Sequence, residues 1–209
     1  MKFEVTSLNE APKNWSLKID GEDVIARHLE LNSRWGKLSF GMRPEGFEGW
    51  AWEGAGGVVT LPYVHEDGQL LIGLLAEHRP NMSETAVYCV IGGFVDPGED
   101  DRAAQARESM EEAEIDTTRA FEMKGVPTLE DRMYFVGEYG KVGNRAYALR
   151  FELTDLEEVG DHWELRKGAS ASGLKKPQEL HFFPWREAVR ITADSLARSA
   201  IALLLCELL

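Results

Sequence analysis

The stretch Gly93-Phe94-Val95-Asp96-Pro97-Gly98-Glu99, followed after seven residues by Arg107-Glu108-Ser109-Met110-Glu111-Glu112-Ala113-Glu114-Ile115, decides how this chain is read. Asp100 or Asp101 can cap a helix start, and Ala103, Ala104, Ala106 and Met110 favour helix through to about Ala113. On that helix Glu108, Glu111 and Glu112 fall at i, i+3 and i+4 and so share one face. Unpartnered like charges at these spacings cost roughly a few tenths of a kcal/mol per pair, so the cluster asks for a counter-charge. A lone acidic string of this kind is ordinarily a solvated helix face. Here a Gly-rich loop leads into the helix, and Arg107 stands beside the carboxylates, able to pair with Glu99 at the loop's end.

Working outward, residues 57–64 and 69–75 are rich in β-branched and aliphatic side chains and flank Glu66-Asp67-Gly68, a hairpin signature because Gly accepts positive φ. Tyr88-Cys89-Val90-Ile91 reads as a short buried strand running into Gly92-Gly93. Further strands are expected at 133–138, 145–153 and 180–183, a helix from near Pro184, and an amphipathic helix over about 193–207. Residues 154–177, polar and centred on Gly168-Ala169-Ser170-Ala171-Ser172-Gly173, are expected to form a mobile lid. Upstream, 16–20 and 24–28 are extended candidates separated by Asp20-Gly21. The fold class is α/β (α+β): a mixed sheet between helices, with residues 1–52 as an N-terminal β-rich extension and 53–209 as the main domain.

The formal net charge of -13 argues against nucleic-acid binding, which ordinarily uses a basic face to release counterions. A bound divalent cation would reverse the repulsion felt by a phosphate. Hard oxygen donors at the density seen in the helix suit Mg²⁺ or Mn²⁺, either of which bridges phosphate oxygens. The two cysteines, Cys89 in an apolar run and Cys206 in the last helix, lack metal-ligand spacing and are read as buried thiols. No segment reaches about 18 apolar residues, so no membrane partner is expected, and the start lacks a leader pattern. A cytoplasmic location is expected. The five histidines, His28, His65, His78, His162 and His181, are scattered singly, which favours structural roles over catalytic ones.

The residues from Gly93 to Ile115 resemble the Nudix box: a Gly, five residues, Glu, seven residues, Arg-Glu, an aliphatic, any residue, Glu-Glu, any residue, Gly and an aliphatic. Every charged position matches. The resemblance implies a Nudix-type α/β/α sandwich in which Glu108, Glu111 and Glu112 hold metal, the Gly92 carbonyl adds a ligand, and Arg107 with Glu99 braces the loop. Two positions depart from it. Ser109 stands in place of an aliphatic, which thins the packing beneath the helix. Glu114 stands in place of the Gly that ends the helix, so either the helix runs further or Glu114 adopts a left-handed conformation at a cost of about 1 kcal/mol.

Outside the box the chain is similar to the ADP-ribose pyrophosphatase branch in Glu77-His78-Arg79-Pro80, in Ile191-Thr192-Ala193-Asp194-Ser195-Leu196-Ala197 before an apolar helix, and in the β extension. That similarity implies substrate contact by Arg79, a homodimer built through the extension, and a mobile-loop Glu assisting the attacking water. Glu179 is the first candidate for that Glu and Glu164 the second. Trp35 or Phe40 is a candidate to stack on adenine. The implied reaction is metal-assisted hydrolysis of ADP-ribose to AMP and ribose 5-phosphate. A nucleotide sensor without turnover, or hydrolysis of another nucleoside sugar diphosphate, a dinucleoside polyphosphate or NADH, stays open.

Overall fold

The computed structural model describes residues 56–79, 83–124, 143–166 and 179–208 in full, and the backbone of 3–5, 15–19, 22–26, 28–33, 36–42, 48–54, 133–137 and 140–142. The chain divides into two compact units, one of residues 1–55 with 136–142 and the other of 56–135 with 143–209.

In the first unit, β1 (Phe3–Val5), β2 (Trp15–Ile19) and β3 (Glu22–Ala26) form a small antiparallel sheet in that order. Then β4 (His28–Ser33), β5 (Gly36–Met42) and β6 (Glu48–Gly54) run as an antiparallel meander. Trp35, and the side chain of Phe40, lie outside the described residues.

The second unit carries β7 (Gly57–Glu66), β8 (Gln69–Glu77), β9 (Val87–Cys89), β10 (Ile91–Phe94), α1 (Asp101–Ala113) and β11 (Phe121–Glu122). They are followed by β12 (Met133–Gly137) and β13 (Gly140–Phe151), whose residues 136–137 and 140–142 are counted in the first unit, and by β14 (Leu156–Val159), β15 (His162–Leu165), β16 (Glu179–Pro184), α2 (Trp185–Ile191) and α3 (Ser195–Leu208). Its sheet runs β14-β15-β16-β8-β7-β13, with β7 and β13 parallel and the other neighbours antiparallel. Residues Gly57–Val64 of β7 read as a continuous buried run, as a strand covered on both faces should. The β7–β8 turn takes positive φ at Asp67 (49°) and Gly68 (74°), the mirror-image turn that matches strand twist.

Strand alternation sorts the core into two layers. Val58, Leu75, Ile91, Leu149 and Phe182 pack with Ala104 of α1. Val59, Leu61, Leu74, Phe183 and Ala148 pack with Ala188 of α2 and Ile201 and Leu204 of α3. The sheet therefore lies between α1 and the α2/α3 pair, an α/β/α sandwich.

Several expectations need correction. The strand expected over 88–91 is broken at Val90, whose N–H leaves the ladder and donates to Asp194 Oδ2 at 3.2 Å. Nearby, Thr192 Oγ1 donates to the Tyr88 carbonyl at 2.7 Å, so the break is held by the segment between α2 and α3. The first half of the expected lid is the β14–β15 hairpin, because Leu156 is buried and Trp163 and Leu165 pack on the α1-side core. Residues 167–178 lie outside the described residues. Cys89 is buried, whereas Cys206 is exposed on the outer face of α3.

Candidate active site

Helix α1 starts where the sequence allows it. The Asp100 carboxylate accepts from the Ala103 N–H at 2.8 Å, and Asp101 adds negative charge to the first turn. The helix ends at Glu114, which is left-handed (φ 53°, ψ 35°), with the Glu114 and Ile115 N–H groups donating to the Met110 and Ser109 carbonyls. Of the two outcomes open for this position, the strained cap is the one taken. Ser109 does not leave a gap. Its Oγ lies 3.0 Å from Thr60 Oγ1, which also accepts from Gln105 Nε2 at 3.0 Å, so a buried polar pair replaces the usual aliphatic contact.

The carboxylates stand on a braced loop. Arg107 forks onto both oxygens of Glu99, Nε to Oε1 at 3.1 Å and Nη2 to Oε2 at 2.9 Å, and Nη2 also donates to the Phe94 carbonyl at 3.0 Å. Its Nη1 donates to Glu108 Oε1 at 2.6 Å and lies 3.8 Å from Glu111 Oε2. Glu99 Oε2 accepts from the Asp96 N–H at 3.1 Å, closing the loop on itself. The Arg107 guanidinium holds Glu99 below the usual carboxylate range, and the carboxylates push Arg107 up in return.

Gly92 and Gly93 are required by close approach. A Cβ on Gly93 would fall 2.3 Å from Glu108 Oε1, and one on Gly92 would fall 2.2 Å from the Val58 carbonyl oxygen. The approach brings the Gly92 N–H to Glu112 Oε2 at 3.0 Å. Glu112 is half-buried, and desolvation, partly offset by that hydrogen bond, pushes it up to about 7; the charges of Glu108 and Glu77 add to the rise and Arg79 opposes it. Glu111 is the open member of the set, 62 % exposed against 14 % for Glu108. One face of α1 thus presents a half-buried, a shielded and an exposed carboxylate.

Arg79 lies within electrostatic reach of Glu112, and its Nε donates to Glu77 Oε2 at 2.7 Å. Glu77 was given no role from the sequence; it lies within electrostatic reach of Glu112, and the strand alternation that puts Leu75 on the α1 side puts Glu77 there too. The structure does not bring Glu179 or Glu164 to this site. In β16 the alternating Leu180 and Phe182 face α1, so Glu179 and His181 face the other way; Trp163 in β15 likewise sends Glu164 to the α2/α3 side.

No protein-family model matches this chain, and no curated protein sequence does. Solved structures do. The crystal structure of an ADP compounds hydrolase superposes with a TM-score of 0.53 at 14% identity, covering 90% of this chain and 97% of that one. The NUDIX domain of Shewanella oneidensis NrtR, solved with ADP ribose, superposes with a TM-score of 0.50 at 13% identity, covering 80% and 94%. These likenesses, with the α/β/α layering and the braced loop on α1, show that the chain has the Nudix fold.

Proposed function

We propose that this protein is a metal-dependent hydrolase of nucleoside diphosphate derivatives, with ADP-ribose cleaved to AMP and ribose 5-phosphate. The observation that carries the reading is the α1 carboxylate set, in which Glu112 sits half-buried beside Glu108 with its carboxyl pushed up to about 7. A half-buried carboxylate among like charges is short of a cation, and a hard divalent ion with oxygen ligands supplies what is missing. Glu108, Glu111 and Glu112 would hold it, with the Gly92 carbonyl as a further ligand, and Mg²⁺ or Mn²⁺ suits the donors. When bound, the ion activates water and screens the charge of the diphosphate.

The chain's own residues do the rest. Arg107 keeps Glu108 aimed by holding the 94–99 loop and the helix together. Arg79, anchored by Glu77 at the rim, offers a guanidinium to the anionic substrate. Water adds to one phosphorus of the P–O–P unit, and the bridging oxygen leaves with the other phosphate. The substrate assignment is supported by two structures of this fold whose descriptions name ADP compounds and ADP ribose. On this reading residues 1–52 are the extension through which a cytoplasmic homodimer forms, and they lend Trp35 or Phe40 to the base.

The test is phosphate release, after a phosphatase step, from ADP-ribose, nucleoside sugar diphosphates, dinucleoside polyphosphates and NADH, with Mg²⁺ or with EDTA. Cleavage that needs metal and favours ADP-ribose is expected. Nucleotide binding without turnover of any of these would overturn the reading in favour of a sensor.

A further inference from the structure

On the sheet face opposite α1, two short strands carry matching sequences: His162-Trp163-Glu164 on β15 and Glu179-Leu180-His181 on β16. The period of two puts His162 and Glu164 on one face, and Glu179 and His181 on the same face, since Trp163, Leu180 and Phe182 pack toward α1. The antiparallel register sets Glu164 directly across from His181. We propose that His162, His181 and Glu164, with Glu179 as a fourth donor, form a site for a divalent transition-metal ion, with Zn²⁺ the best fit.

The donor atoms converge. His162 Nε2 lies 3.0 Å and His181 Nε2 3.9 Å from Glu164 Oε1, and Glu179 Oε2 lies 3.5 Å from His181 Nε2. The ligand atoms of His162, Glu164 and His181 all fall within 4.8 Å of one another. A tetrahedral ion with ligands about 2.05 Å away has a ligand–ligand edge of about 3.3 Å, so shifts of an ångström or so bring these atoms onto it. The two imidazoles stack with centroids 3.9 Å apart and planes 21° from parallel; the ion requires them to splay so that their in-plane lone pairs meet.

The outer nitrogens carry a second, independent sign. His162 Nδ1 lies 3.0 Å from Asp161 Oδ1, and His181 Nδ1 lies 3.1 Å from the Tyr88 hydroxyl. Each imidazole thus has an oxygen partner on the nitrogen facing away from the cluster, the outer support that lets Nδ1 carry the proton while Nε2 turns to an ion. His181 is only 7% exposed, and such burial of an imidazole beside three carboxylates is better balanced by a cation. Two imidazoles with carboxylates favour Zn²⁺ over the hard ions suited to α1, so the two sites differ in the metal they select. Bound here, the ion would clamp β15 to β16.

The experiment is calorimetric titration of Zn²⁺ into the metal-stripped full chain, comparing wild type, Glu112→Gln, His162→Gln and Tyr88→Phe, with the visible spectrum of added Co²⁺ as a second readout. Wild type and Glu112→Gln should each bind an equivalent of Zn²⁺ and show four-coordinate Co²⁺ bands. His162→Gln, altered on the half-exposed hairpin rather than in the packed His181 position, should lose at least about 100-fold in Zn²⁺ affinity and the Co²⁺ bands. Tyr88→Phe should lose about 10-fold, the scale of an outer-partner deletion. Zn²⁺ binding unchanged in His162→Gln, lost in Glu112→Gln, or absent from wild type would overturn the proposal.

Discussion

The two faces of the sheet carry acidic clusters built in opposite ways. On α1, three carboxylates come from one helical segment; Glu108 and Glu111 lean on one guanidinium, and the half-buried Glu112 is held by a backbone N–H. On β15 and β16, imidazoles and carboxylates come from two strands, and each imidazole is held from outside by a side-chain oxygen. On the readings proposed above, the first arrangement would offer hard oxygen to a phosphate-bridging ion, and the second would offer nitrogen to an ion that stays with the protein. The difference shows that ligand softness and the source of second-layer support, more than the number of acidic residues, set what each face is fit to hold.

Removing the brace should break the first cluster most severely. Arg107→Ala leaves Glu99 and Glu108 without their shared partner, and a lower denaturant midpoint than that of wild type is expected. Denaturant titration measures it. Arg107→Lys should recover only part, because an ammonium cannot fork onto both Glu99 oxygens.

A pH scan sharpens the contrast. The Glu112 carboxyl in the fold is pushed up to about 7, above its ordinary value of 4.5, so the folded state binds a proton that the unfolded chain has already lost. Stability of the metal-free protein should therefore fall as pH rises from about 4.5 to about 7, by roughly 2 to 3 kcal/mol. Glu112→Gln should flatten that slope. On the other face the two histidines act in opposite senses: desolvation pulls His162 down, but Asp161 and Glu164 leave it raised overall, while desolvation and His162 lower His181. The raised group stabilises below its unfolded value and loses that contribution as pH climbs through its folded one; the lowered group does the reverse. A steep loss of stability on acidification from pH 7 to 5 would contradict this assignment.

The smallest effect belongs to the helix end. Glu114→Gly relieves the left-handed strain at φ 53° and should stabilise the protein by about 1 kcal/mol, read as a rise in melting temperature with Mg²⁺ affinity unchanged.

The sequence was most informative where the chemistry is local. Spacing within a single helix was enough to align Glu108, Glu111 and Glu112, and the Asp67-Gly68 turn and the Asp100 cap follow from local backbone preferences. Glu114 was legible as a choice between two outcomes, which tertiary packing then decided. The break at Val90 was not legible, because it depends on Asp194, more than 100 residues away. That His162 and His181 are neighbours was not legible for the same reason: β-pairing across a long connection brings them together. Glu179 and Glu164 were placed by their position in a supposed loop, whereas strand alternation sends both away from α1. The paired signal, His-x-Glu and Glu-x-His at the strand period, was present in the sequence but needed the pairing of β15 with β16 to acquire meaning.

Metal-assisted hydrolysis depends above all on Glu112, and Mg²⁺-dependent cleavage of ADP-ribose by Glu112→Gln beside wild type, with both shown to be folded, tests it. A fall in kcat of about 1000-fold is expected, equal to roughly 4 kcal/mol of lost transition-state stabilisation, together with loss of the Mg²⁺-induced rise in melting temperature. Full activity in Glu112→Gln, with the Mg²⁺ shift retained, would contradict it.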